Sequence, residues 1–133
     1  MILIDSNILI DLLQNNPIWK PWSIEQLRAA SARETLCINM VIYAELSANF
    51  NMAQELDTFL DKVRITVEPI SHQAAFLAGQ AFRQYRQNKG TKSGVLPDFF
   101  IGAHAQAQRH TLLTRDRARY QRYFPSVTLI APD

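Results

Sequence analysis

The sequence predicts an α/β protein, a three-layer α/β/α sandwich with a central parallel sheet. Short apolar runs of strand type alternate along the chain with longer segments of helical periodicity, the pattern of a parallel sheet covered on both faces. At 133 residues the chain fits one domain, so we expect residues 1–133 to form a single unit.

The first half of the chain is predicted to hold two strands and four helices. Apolar spacing after the first strand indicates a helix capped by Ser6 or Asn7. Pro17 and Pro21 are expected to break that pattern before a capping box at Ser23 begins the next helix, which runs toward residue 32. The remaining predicted elements are strand 2–5, strand 35–39, helix 40–48 and helix 51–63, the last with an apolar stripe of Met52, Leu56, Phe59 and Leu60.

The second half is predicted to contribute three strands and three helices. Ser71 caps a long helix, and the glycine- and lysine-containing segment 88–94 is a loop. Pro97 suits the first turn of a helix to residue 108 that is apolar nearly all round and therefore central. The predicted strands are 65–67, 111–114 and 127–130, with a short basic helix at 117–122.

Composition narrows the class of protein. An apolar fraction of 47% with 20% charged residues is typical of a globular chain, and no apolar run reaches the length of a membrane span. The chain begins on strand-like residues without a basic leader, so we expect a cytoplasmic protein. The single cysteine, Cys37, excludes an internal disulfide and is expected to pack within its apolar run.

Charge is distributed unevenly. Residues 1–61 hold three basic and eight acidic side chains, whereas residues 83–122 hold nine basic and two acidic ones. The second half therefore suits an anionic partner, although a solvated helix face explains the charge alone. The basic side chains that flank the acids in sequence, and that we expect to steer phosphate, are Lys89, Lys92, Arg115, Arg117, Arg119 and Arg122.

Four acidic residues stand where a strand or helix meets a turn. Each one alone is explained by a structural role: Asp5, Asp98 and Asp116 as helix caps, and Glu45 at the wet edge of an apolar stripe. In parallel sheets, however, ligands collect at the carboxyl ends of the strands, and hard cations prefer carboxylate oxygens. The joint placement of the four acids indicates metal-dependent phosphate chemistry.

Other polar residues have weaker signals. Asn7 is placed to hold an outer oxygen of Asp5 through its amide. His104 is expected to pack or to face a partner, and His72 and His110 are expected to sit at element ends without clustering. Tyr120 is expected to pack the last helix, with base stacking as the weaker alternative.

The chain resembles the PIN-domain ribonucleases and, within them, the VapC-type toxins of toxin-antitoxin pairs. The resemblance spans essentially the whole length, and four segments in the correct order make it specific. Two small departures are Ser6, where the family more often has threonine, and the bulky Phe100. The four segments are 5–11, 39–46, 96–105 and 113–116.

This resemblance implies Mg²⁺- or Mn²⁺-dependent endonucleolytic cleavage of RNA by a metal-activated water. It implies a small antitoxin whose tail lies across the active-site groove, and we also expect a homodimer. The catalytic and metal-binding residues that it implies are Asp5, Glu45, Asp98 and Asp116, with Asn7 and Thr114 as polar supports and with RNA contacts expected from Lys89, Lys92, Arg115 and Arg117.

Several other classes of protein share parts of this pattern. A phosphoaspartate hydrolase needs a second aspartate where Asn7 stands, and a receiver domain needs an acid where Ser6 stands, so both are disfavoured. A PIN-type RNA-processing nuclease without an antitoxin remains open. A catalytically inactive PIN-like interaction module is the alternative from another class, and the presence of all four acids argues against it.

Overall fold

A parallel sheet lies at the centre of the molecule in a computed structural model that describes residues 1–92 and 94–133. The strand order β3-β2-β1-β4-β5 and the parallel pairing of every neighbour confirm the predicted sheet. Of the predicted loop 88–94, Ser93 lies outside the described residues. The strands are β1 (Ile2–Ile4), β2 (Leu36–Ile38), β3 (Ile65–Val67), β4 (Thr111–Leu113) and β5 (Leu129–Ile130).

Helices cover both faces of the sheet and complete the predicted α/β/α sandwich. Strands β1 and β2 are buried along their whole length, so the core lies between the helical layers. No helix within the described residues is both long and apolar enough to span a membrane. The helices in those residues are α1 (Ser6–Leu13), α2 (Lys20–Arg33), α3 (Met40–Ser47), α4 (Ala53–Lys62), α5 (His72–Gln87), α6 (Leu96–Gln108) and α7 (Arg117–Tyr123).

Three local predictions were wrong. The cap of α1 is Asp5, whose carboxylate accepts the N–H of Ser6, because it is the last extended residue before the helix. Helix α2 begins at Lys20 and holds Pro21 in its first turn, where proline has no hydrogen bond to lose. Met52 precedes α4 and is 62% exposed, so it lies outside the apolar stripe of that helix.

The strand order reverses beside β1, and this places the candidate site. The chain runs outward from β1 through β2 to β3, then returns to the other side of β1 as β4. Ligands of open α/β sheets bind at such a switch point, beyond the carboxyl ends of the strands. The residues that follow the two central strands there are Asp5 and Thr114. The Asp5 N–H donates a hydrogen bond of 2.9 Å to the carbonyl of Leu113, the residue before Thr114.

Helix α6 is central, as predicted, and its close packing depends on one glycine. Phe99 and residues 101–105 are buried along it, and Gly102 faces the ring of Phe124. A Cβ atom at Gly102 would overlap that ring, so the glycine allows α6 to approach the segment after α7.

We therefore expect Gly102→Ala to destabilise the protein by about 1–3 kcal/mol, the usual cost of overpacking a core. The matched control is Gly79→Ala on α5, where a Cβ meets nothing within 4 Å. That change should be neutral or stabilising by up to about 1 kcal/mol, since alanine favours helix. Urea unfolding of both variants measures the difference; equal stabilities would show that Phe124 yields without cost.

Candidate active site

Asp5 is the most buried of the four acids, with 3% of its surface exposed. One oxygen caps α1 by accepting the Ser6 N–H at 2.7 Å. The other accepts hydrogen bonds from the hydroxyls of Thr114 at 2.8 Å and Tyr120 at 2.9 Å. Burial raises the pKa of Asp5, and these hydrogen bonds only partly oppose the shift. The capping role therefore explains one of its two oxygens, and the second is positioned by the side chains of Thr114, just after β4, and Tyr120 of α7.

Glu45 is connected to Asp5 through a serine. The Ser6 hydroxyl lies 3.0 Å from Glu45 Oε1 and 3.5 Å from Asp5 Oδ1. Burial raises the pKa of Glu45, and the charges of Asp5 and Asp98 add to the rise although the Ser6 hydrogen bond opposes it. The Glu45 carboxylate is thus directed toward the negative charges of Asp5 and Asp98 and not toward open solvent.

Asp98 and Asp116 share one arginine, Arg119 of α7. Its Nη1 donates a short hydrogen bond to Asp98 Oδ2 and lies 3.5 Å from Asp116 Oδ2. Asp98 is inside the first turn of α6, since Val95 is the cap, and Asp116 occupies the cap position of α7 without a capping bond from its side chain. The helix-cap explanation therefore fails for both carboxylates.

The four acids form one electrostatic unit. Burial raises the pKa of Asp98 despite the Arg119 guanidinium, and the charge of Asp116 raises it further. The charge of Asp98 in turn raises the pKa of Asp5. The structure thus brings together all four of the acids that the sequence singled out.

The chemistry of this unit suits a hard divalent cation. Its donors are the oxygens of four carboxylates. Three of these carboxyl groups have raised pKa values, so added positive charge is favourable. The guanidinium of Arg119 is a cation standing between two of them. With Arg119 there, no three of these carboxylates reach within 4.8 Å of one another in the described part of the chain.

Asn7 and Thr114, the two polar supports that the resemblance implies, both contact Asp5. The Asn7 amide nitrogen lies 3.4 Å from Asp5 Oδ2 and 3.5 Å from Thr114 Oγ1. The Thr114 hydroxyl also accepts the N–H of Asp116 at 3.0 Å. Thr114 therefore links the loop after β4 to the carboxylate after β1.

The predicted RNA-binding residues divide into two groups. Arg115 donates two hydrogen bonds to buried Asp11, at 2.8 and 2.9 Å, and stacks on Trp19. Arg117 donates to backbone carbonyls of residues 131 and 132. Both guanidinium groups thus have internal partners, which the sequence did not indicate, whereas Lys89 and Lys92 are exposed. RNA contact by any of the four stays a prediction.

Sequence reasoning did not place Ser6 or Tyr120 in this site, and it expected Arg119 to steer phosphate but not to pair with Asp98 and Asp116. Arg119 lies three residues after Asp116 on a helix, a spacing that puts two side chains on one face and was available as a signal. Tyr120 packs, as expected, with 1% exposure, but its hydroxyl also enters the site. No local pattern distinguishes that tyrosine from an ordinary core residue.

The expectation that the histidines do not cluster was wrong. His104 Nε2 and His110 Nε2 each lie 2.7 Å from the same oxygen of Glu68. His104 and His110 follow Glu68 by 36 and 42 residues in the sequence. They reach Glu68 because α6 crosses the sheet from the Asp98 end toward the start of β4.

We predict that Asp5→Asn leaves the metal-free protein as stable at pH 7 as the parent, or more stable. A raised folded-state pKa means that the carboxyl group favours folding when it is protonated. This contribution is present below the unfolded pKa of about 3.9 and is lost as the pH rises through the folded pKa. Melting temperatures in EDTA from pH 4 to 8 should therefore fall for the parent relative to the variant.

The contrasting control is Asp11→Asn. Asp11 is equally buried but pairs with Arg115, so its loss leaves that arginine without a partner and should lower the melting temperature. If Asp5→Asn is as destabilising at pH 7 as Asp11→Asn, then Asp5 is chiefly a structural cap.

Comparison with known proteins identifies the family. The profile of the PIN domain matches residues 2–124. Similar solved structures include VapBC2 from Rickettsia felis bound to a DNA fragment from their promoter, with 21% identity, a TM-score of 0.74 and 100% of both chains covered. VapBC-1 from nontypeable Haemophilus influenzae has 17% identity, a TM-score of 0.72 and 98% of both chains covered. A toxin-antitoxin complex from Klebsiella pneumoniae has 25% identity, a TM-score of 0.65 and 96% of both covered.

A search of curated protein sequences finds no match. The profile match covers more than half of the chain and agrees with the sheet order and with the resemblance stated from sequence. The chain belongs to the PIN domain family.

Proposed function

We propose that this protein is a metal-dependent endoribonuclease that acts as the toxin of a toxin-antitoxin pair. The observation that carries the proposal is the group of four acids at the switch point of the sheet, two of them held by the chain's own arginine. Membership of the PIN domain family and the likeness to a toxin-antitoxin complex support it. An RNA substrate is consistent with action in the cytoplasm.

Asp5, Asp98 and Asp116 would hold the first cation, with Glu45 serving a second cation or a coordinated water. When bound, Mg²⁺ or Mn²⁺ supplies a water of lowered pKa and offsets the charge on the leaving oxygen. A divalent cation fits this site because all the donors are oxygens and because the buried carboxyl groups have raised pKa values.

The chain's own residues prepare the site. Thr114 and Tyr120 fix the rotamer of Asp5, and Ser6 orients Glu45. Arg119, once released from Asp98 and Asp116, is placed to pair with a phosphate oxygen of RNA. Exposed Lys89 and Lys92 would add to the attraction of the RNA backbone.

The proposed partner is a small antitoxin that disables the same site. A basic side chain of the antitoxin would neutralise the carboxylates without metal, as Arg119 does within the chain. Ile18, next to the half-buried pair Trp19 and Trp22, is 76% exposed, and Met40 at the start of α3 is 54% exposed, so both would offer apolar contacts to the antitoxin. A homodimer is part of the same proposal.

Purified protein should cut structured RNA with Mg²⁺ or Mn²⁺ and stop in EDTA. Asp98→Asn should reduce the rate at least about 100-fold, as loss of one group that stabilises transition-state charge does. The matched control is Asp61→Asn on the exposed face of α4, which should cut like the parent. Attack by water predicts fragments with 5′-phosphate and 3′-hydroxyl ends, so a 2′,3′-cyclic phosphate would refute the mechanism.

Binding of the antitoxin should compete with Mg²⁺ for the acids. We expect titration with the peptide encoded by a short adjacent reading frame to change the tryptophan fluorescence, and Asp5→Ala with Asp98→Ala to weaken binding. Binding unaffected by both substitutions would remove the acid pocket from the interface.

If no adjacent frame encodes such a peptide while RNA is still cut, the alternative of a processing nuclease is correct. No cutting under any metal would leave the inactive interaction module.

A further inference from the structure

A second cluster of metal-binding side-chain types lies away from the four acids. It brings together Cys37 of β2, Glu68 after β3, His104 of α6 and His110 before β4. Donor atoms of Cys37, Glu68 and His110 all lie within 4.8 Å of one another. His104 Nε2 joins them through its 2.7 Å contact with Glu68 Oε1, the same oxygen that His110 Nε2 contacts.

The cluster is largely enclosed. The side chains of Cys37 and His104 are fully buried, that of His110 is 9% exposed, and that of Glu68 is 22% exposed. Burial disfavours the Glu68 carboxylate, but the hydrogen bonds and the electrostatic attraction of His110 and His104 together outweigh it and lower its pKa. An ionised carboxylate therefore lies among two imidazoles and a thiol at the edge of the core.

Hydrogen bonding explains only part of this arrangement. Ring N–H groups of His104 and His110 that donate to Glu68 account for its Oε1 oxygen, yet His104 Nδ1 is buried without a partner in the described residues. The thiol of Cys37 is not needed by that network. Burying polar groups that are only partly satisfied costs free energy, so a purely packing role is better filled by aliphatic side chains.

We propose that Cys37, Glu68, His104 and His110 bind one zinc ion. A set of one sulfur, two imidazole nitrogens and one carboxylate oxygen suits a borderline-soft ion, and it differs from the oxygen-only set of the four acids. Zinc–ligand bonds of about 2.0–2.3 Å in a tetrahedron place neighbouring donors roughly 3.3–3.6 Å apart. Donors of Cys37, Glu68 and His110 lie within 4.8 Å of one another, so small side-chain movements suffice for these three. His104 Nε2 lies 2.7 Å from Glu68 Oε1 but outside that group of three, so its ring must move further to complete the tetrahedron.

The position of the cluster allows an ion to enter. The Glu68 carboxylate is partly open to solvent, and His110 also lines a surface depression of about 350 Å³ with Arg109 and Thr128. Burial raises the pKa of the Cys37 thiol to about 12, so zinc must displace its proton and binds more tightly as the pH rises.

The site is separate from the four acids and its consequence is structural. His104 follows Asp98 by six residues on α6, about 9 Å along the helix axis. All four ligands come from the protein, which is the form of a structural zinc site. Zinc would join β2, the end of β3, α6 and the start of β4, and so hold the helix that carries Asp98 against the sheet.

Cobalt(II) titration of the full chain tests the site, because cobalt bound to thiolate shows a sulfur-to-metal charge-transfer band. Excess Mg²⁺ is included to fill the oxygen-only site. We expect one cobalt per chain with that band, displacement by zinc, and a rise in melting temperature of about 10 °C at zinc concentrations a hundredfold above Kd.

The variants separate the two sites. Cys37→Ser should abolish the band, and His110→Gln should weaken cobalt binding at least about tenfold, as loss of a supporting group already does. His72→Ala, at an exposed histidine, and Asp98→Asn, in the acid group, should keep the band and the affinity. Absence of the band in the parent, or cobalt binding to His110→Gln as tight as to the parent, would overturn the site. Loss of binding in Asp98→Asn would also overturn it by moving the ion to the acids.

Discussion

The carboxylate of Asp5 is fixed between the two central strands, and the rest of the site depends on that constraint. Parallel pairing of β1 with β4 places Ile4 opposite Leu113, so the next residues, Asp5 and Thr114, emerge side by side. The Thr114 and Tyr120 hydroxyls then bind one oxygen while the start of α1 holds the other. Residues from both ends of the chain are thereby tied to one buried charge.

That charge creates a conflict between stability and function. Burial raises the pKa values of Asp5, Glu45 and Asp98, so the metal-free fold contains carboxylates that oppose their own ionisation. Arg119 offsets part of the cost by pairing with Asp98 and Asp116. Under the proposed function, a cation or a partner's basic side chain would take over this role, and Arg119 would then leave Asp98 and Asp116.

Much of this was accessible from sequence, and the failures have physical reasons. The strand-then-acid pattern located Asp5 and Asp116, because alternation of strands and helices implies a shared carboxyl edge. It could not show that Arg115 pairs with Asp11, since nothing local records a contact across 104 residues. The sequence did not reveal the cluster at Glu68 for the same reason: its members come from β2, the end of β3, α6 and the residue before β4. Helix α2 begins before the predicted capping box at Ser23, because Pro21 suits the first turn of a helix and does not end it.

Whether the four acids bind a divalent cation can be seen directly in a crystal structure of the protein grown with Mn²⁺, with anomalous scattering used to locate the metal. We expect a manganese peak in contact with Asp5 and Asp98, with the Arg119 guanidinium displaced from both Asp98 and Asp116. A manganese peak remote from these carboxylates, or no peak while Arg119 stays bonded to Asp98 at saturating Mn²⁺, would contradict it.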